Sequence, residues 1–159
     1  MYIFCFIENN NSGDDMNENF ELLTHIYKSS EMGAYSINNI LGAIRNKANK
    51  IKNILEYELK MYEEYMHRSE SILNKNDITL GNNLFAKMGN DIGIAFETMK
   101  DNSDCAIAQM LIEGFTMGVI EMESKIKDYE PVCDKDNIKM ARDFLSFQQS
   151  EIEKLKAFM

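Results

Sequence analysis

The chain has 159 residues, 45% hydrophobic and 27% charged, with a formal net charge of -9 at pH 7, which suits one globular domain with a core of its own. Its lysines are spread rather than clustered, so it lacks the basic stripe that nucleic acid or an anionic membrane surface would require, and neither is an expected partner. The single proline, Pro131, favours long uninterrupted helices over an all-β or loop-rich fold.

The first fifteen residues stand apart. Tyr2-Ile3-Phe4-Cys5-Phe6-Ile7 is apolar but too short to span a bilayer, and no basic region or small-residue cleavage site flanks it. A polar run through Asp14 and Asp15 then leads to a second methionine, Met16. Gly13-Asp14-Asp15-Met16 can be encoded GGA-GAT-GAT-ATG, which sets a ribosome-binding GGAG ahead of that ATG. Residues 1-15 are therefore expected to be a disordered leader or a mis-assigned start, with residues 16-159 forming a single domain. Without Glu8, Asp14 and Asp15 the charge moves from -9 to -6, and no exclusion above changes. Cys5, Cys105 and Cys133 are odd in number and form no Cys-x-x-Cys, which points to free thiols in a reducing cytoplasm.

Apolar residues spaced i, i+3, i+4, i+7 define five helical segments. The first runs from about Glu18 to Arg45, with Leu22, Leu23, Ile26, Ile37, Leu41 and Ile44 on one face and a small middle at Ser30, Gly33 and Ala34. The second runs from about Ala48 to Leu73, divided from the first only by Asn46 and Asn49. Its stripe is Ile51, Ile54, Leu55, Tyr62, Tyr65, Ile72 and Leu73. A third carries Leu84, Phe85, Met88, Ile92, Phe96 and Met99, and its Gly89 and Gly93 each lower helix propensity by about 1 kcal/mol. The fourth, about Asp104 to Tyr129, presents Ile112, Phe115, Val119, Met122 and Ile126. Pro131 breaks the chain, and Asp134 is the expected N-cap of a fifth helix through Ala141, Phe144, Leu145, Ile152 and Leu155. Helices this long joined by short turns pack as an antiparallel up-down bundle, here four core helices plus one additional helix.

The only Glu-x-x-His is Glu64 and His67. At about 100° per residue these sit roughly 130° and 170° from the axis of the second helix's apolar stripe, which predicts a solvated pair. His25 also lies off its stripe and reads as a surface residue. Two polar residues do fall in a stripe: Glu58, among Leu55, Met61, Tyr62 and Tyr65, and Gln148, among Phe144, Leu145, Ile152 and Leu155. Glu151 is at the edge of the same stripe. A carboxylate facing a core must be paired, hydrogen-bonded or protonated. A Glu58–Gln148 contact, with Tyr62 or Tyr65 as further partners, would satisfy both. The fourth helix has a second apolar face, Met110, Met117 and Ile120, which should be covered by the third helix or by another subunit.

The layout from about Glu18 to Met159 resembles the ferritin-like superfamily, more closely its small uncharacterised members from low-GC Gram-positive bacteria. The resemblance is carried by Ala108-Gln109-Met110-Leu111-Ile112-Glu113-Gly114-Phe115-Thr116-Met117-Gly118 and by Phe147-Gln148-Gln149-Ser150-Glu151-Ile152-Glu153-Lys154-Leu155. Di-iron relatives place a Glu on each of two helices and a Glu-x-x-His on each of the other two. By that resemblance Glu31 stands for the first Glu, Glu64 with His67 for one pair, and Glu113 or Glu121 for the third helix. The last helix offers Gln148-x-x-Glu151, so the second pair is incomplete.

These readings converge on an all-α, ferritin-like bundle without a complete di-iron site, acting non-enzymatically as an oligomeric structural or binding protein with Met110, Met117 and Ile120 at the interface. No cofactor is favoured. The alternative is an iron-binding or iron-oxidising protein built on Glu31, Glu58, Glu64, His67 and Glu151. It requires a register change in the second helix, such as a π-bulge before Glu64. A small apolar ligand among the methionines and aromatics is a third option.

Overall fold

The computed structural model describes residues 17-80 and 100-159. Regular structure among the described residues is entirely helical: α1 (Glu18–Ala43), α2 (Lys52–Lys75), α3 (Asp104–Tyr129) and α4 (Lys135–Leu155), then a 3-10 turn, Lys156–Phe158. The expected leader and the expected third segment lie outside the described residues, so α3 and α4 correspond to the fourth and fifth predicted segments.

Each helix end has a local cause. The Asn17 side chain accepts from the Asn19 N–H, with Glu18 and Glu21 in the first turn of α1. Ser103 caps α3 by accepting from the Ala106 N–H. Asp134 stands at the cap position of α4, as expected, but its side chain makes no capping bond. Its backbone N–H donates instead to Asn19 Oδ1 on α1, 2.8 Å away. Asp77, in the left-handed region at φ 57°, ends α2 by letting the Ile78 N–H return to the Leu73 carbonyl at 3.0 Å. α2 also starts later than its apolar pattern suggests, because a turn occupies Ile44 to Ile51.

α1 packs along α2, and α3 along α4, so the close backbone approaches fall mostly within two hairpins. Long-range polar contacts then fix how the hairpins meet. At one end Asn49 donates to Asp104 Oδ1 (2.8 Å) and the Lys50 N–H to Asp104 Oδ2 (2.9 Å), so α2 and α3 begin side by side. At the other, Asn19 accepts from Asn137, which sets the starts of α1 and α4 together. Neighbours in each hairpin are antiparallel, whereas α2 and α3 run the same way. The connection from Asn76 to Ser103 therefore joins opposite ends of the bundle.

The centre is aromatic. Tyr62 stacks on Phe115 with centroids 5.8 Å apart and meets Phe147 edge-on at 5.3 Å, while Tyr65 meets Phe144 at 4.9 Å. This ring layer fits because Gly33 removes an obstacle: a Cβ there would fall within 2.6 Å of three carbons of the Tyr62 ring. On α3 the buried stripe differs from expectation. Ile107, Ala108 and Leu111 are buried with Phe115, Met122 and Ile126, whereas Ile112 and Val119 are only half-buried.

Candidate functional site

The polar interior lies where α2 faces α4. Leu55, Glu58, Tyr62 and Tyr65 share the inward face of α2, and Phe144, Phe147, Gln148 and Glu151 that of α4. Glu58 and Glu151 are fully buried, and Gln148 nearly so. The stripe positions of Glu58 and Gln148 thus turn inward, and Glu151, expected at an edge, is sealed with them.

Their partners differ from the simple Glu58–Gln148 pair that the helical phases suggest. Gln148 hydrogen-bonds the Tyr62 hydroxyl, and its amide lies against Gly118 of α3, where any Cβ would collide with it. Lys154, one turn along α4, holds Glu151 Oε1 at 2.7 Å, and its ammonium sits 4.3 Å from the centre of the Tyr57 ring. Both Glu58 oxygens, Gln148 Oε1 and Glu151 Oε2 have no hydrogen-bond partner. Burial first, and then the charge of Glu151, push the Glu58 carboxyl up to about 9, with Lys154 opposing. Glu58 is therefore a neutral acid at pH 7. Burial also raises the Tyr62 phenol well above its ordinary value, with Glu58 and Glu151 adding to it and the Gln148 bond opposing.

The other expected ligands lie elsewhere. Glu64 and His67 are exposed, and His67 Nδ1 stands 3.8 Å from Glu70. Glu31 is buried on α1, and its charge acts on Tyr27, whose phenol is raised chiefly by burial. Glu113 is exposed and Glu121 half-buried. α2 is α-helical throughout, without the π-bulge that could swing Glu64 inward. Among the described residues no three His, Cys, Asp or Glu side chains converge on a point that could hold a metal. An ammonium already occupies the open side of Glu151. Among the described residues, Glu64 and His67 do not meet the buried Glu58 and Glu151.

His25 corrects the sequence reading most plainly. It is buried, not at the surface, and burial, then Lys125 and Lys28, lower it to about 4. Cys105 is exposed and Cys133 half-buried, and both are free. The second face of α3 is mixed: Met110 and Met117 are half-buried, and Ile120 is 62% exposed. α3 is long and apolar enough to cross a bilayer by length and composition alone, a test that bundle helices also pass. Two open clefts, of about 400 and 620 Å³, lie between α3 and α4 and at the end where α1 and α4 begin; neither is lined by Glu58, Gln148 or Glu151.

No protein-family model, no curated protein and no solved structure matches the chain.

Proposed function

We propose that this chain is a non-enzymatic, ferritin-like bundle that works in the cytoplasm as an oligomeric structural or binding protein. One observation carries the reading: the chemistry-bearing side chains are split between a sealed interior and an open surface. Glu58 and Glu151 have no exposed atom to offer a substrate, while Glu64 and His67 stand in water and do not meet them. A catalytic acid or base must come within hydrogen-bond reach of the group it serves. Two antiparallel hairpins with α2 and α3 running alike support the ferritin-like arrangement, in which one long connection crosses the bundle. The expected contact surface is the α3 face bearing Met110, Met117 and Ile120.

The competing reading is an iron-binding bundle, favoured by the burial of Glu31, Glu58 and Glu151 on three helices. Anaerobic loading with Fe(II), exposure to oxygen and metal analysis separate the two. Retention of about two irons per chain with an oxo-bridged absorbance would establish the iron protein. Loss of all iron on desalting supports the binding role. Light scattering across micromolar concentrations then tests assembly, and a monomer throughout would remove the oligomer from the proposal.

A further inference from the structure

Near the end of α4 a positive charge is held between two helices. The Lys154 ammonium lies 2.7 Å from Glu151 Oε1 on α4 and 4.3 Å from the centre of the Tyr57 ring on α2. Both contacts attract a cation, the carboxylate by its charge and the ring by the negative face of its π-system. The carbonyl end of the α4 dipole adds to them, because Lys154 falls in the last turn. The contact is one-sided. The Glu151 side chain is 1% exposed and that of Lys154 43% exposed, so the anionic half belongs to the core while the cationic half reaches it from the surface on a flexible stem. Glu153 and Lys156, at the same spacing nearby, lack this asymmetry, since both are exposed.

We propose that Glu151 and the Tyr57 ring form a binding site for a primary alkylammonium ion, which the chain holds shut with its own Lys154. The Lys154 head stands in for that of the ligand and marks the carboxylate and the ring face it would use. An organic ammonium suits the place better than a metal ion. Calcium or magnesium takes about six or more oxygen ligands, and among the described residues no three His, Cys, Asp or Glu side chains converge. An alkylammonium needs one carboxylate, one ring face and a path for its stem. The methylenes of Lys154 already trace that path to the surface. A tethered group competes at an effective concentration of roughly millimolar, so the site opens to amines at that level and above. The inference concerns the α2–α4 seam and does not depend on assembly through α3.

The test uses the full chain and n-propylammonium, which replaces the atoms that Lys154→Ala removes. Lys154→Ala lowers the melting temperature and propylammonium restores it, whereas sodium chloride at equal ionic strength and neutral n-propanol do not. Recovery with sodium chloride would be screening and recovery with propanol cavity filling, and either overturns the site. Adding Tyr57→Leu raises the concentration for half-recovery about two- to fivefold, the worth of an exposed cation–π contact. An unchanged concentration overturns the assignment, as does recovery that survives Glu151→Gln. Lys156→Ala gains nothing from propylammonium, and a gain equal to that of Lys154→Ala refutes a specific site. Should Lys154→Ala fail to fold, the wild type decides. Its Tyr57 ring resonances, assigned with Tyr57→Leu, shift with propylammonium above roughly millimolar and not with sodium chloride. Resonances that stay still overturn the proposal.

Discussion

Two ionisable side chains lie deep in this bundle and answer burial in opposite senses. Glu58, at the α2–α4 seam, stays neutral by keeping a proton up to about pH 9. His25 on α1, near Lys125 of α3, stays neutral by refusing one until about pH 4. Burial comes first in both, because it disfavours the charged form of either group, with Lys125 and Lys28 adding to it at His25 and Glu151 at Glu58. At pH 7 an ordinary histidine is already mostly neutral whereas an ordinary glutamate is ionised, so only Glu58 is held neutral against a free-energy gradient there. Above 4.5 the unfolded chain releases the Glu58 proton that the fold retains, and stability falls as pH rises towards 9. Below 6.5 the unfolded chain binds a proton that folded His25 rejects, and stability falls as pH drops towards 4. From these two groups the slopes cancel between 4.5 and 6.5, giving a plateau with a fall on either side.

Glu58→Gln should break the comparison most strongly. It removes the alkaline fall and stabilises the fold at pH 7 by about 3 kcal/mol, from the gap between pH 7 and the ordinary glutamate value. Urea unfolding at pH 5, 7 and 8.5 measures it, and an unchanged alkaline limb would contradict the burial assignment. His25→Gln should erase the opposite limb, about 3 kcal/mol by pH 4, with little effect above 6.5 beyond the cost of the swap. An acid limb as steep as the wild type's would mean another group sets it. Gly33→Ala drives a methyl into the Tyr62 ring and should cost about 1–3 kcal/mol, whereas Gly42→Ala, with nothing within 4 Å, should gain about 0.5–1 kcal/mol. Thermal melts of the two variants must move in opposite directions. The smallest effect belongs to Glu64→Ala and His67→Ala, each within about 0.5 kcal/mol by the same thermal melts.

Helical phase alone reads much of this. The spans of α1 and α3 follow their apolar spacing closely, and the inward placement of Glu58 and Gln148 and the outward placement of Glu64 and His67 follow from about 100° per residue. It fails where a helix is covered on more than one side. α1 packs against α2, α3 and α4, so residues off its main stripe, His25 and Glu31, are also enclosed. A single-stripe projection has no way to register that. The Lys154 contact was present in the sequence as a Glu-to-Lys spacing of three along α4, one of the pairings that face each other on a helix. The Asn49–Asp104 link has no such local mark, because its partners lie 55 residues apart.

The two-hairpin layout also bears on how the molecule assembles. Contacts between α1 and α2, and between α3 and α4, join neighbours in sequence and can form early at low loop-closure cost. Glu58 belongs to the first hairpin and Glu151 to the second, so their dehydration waits for the hairpins to dock. The docking step, rather than formation of either hairpin, should then carry the alkaline sensitivity of the folding rate. A refolding limb that slows above neutral pH while early helix signals form at constant speed would be its kinetic signature.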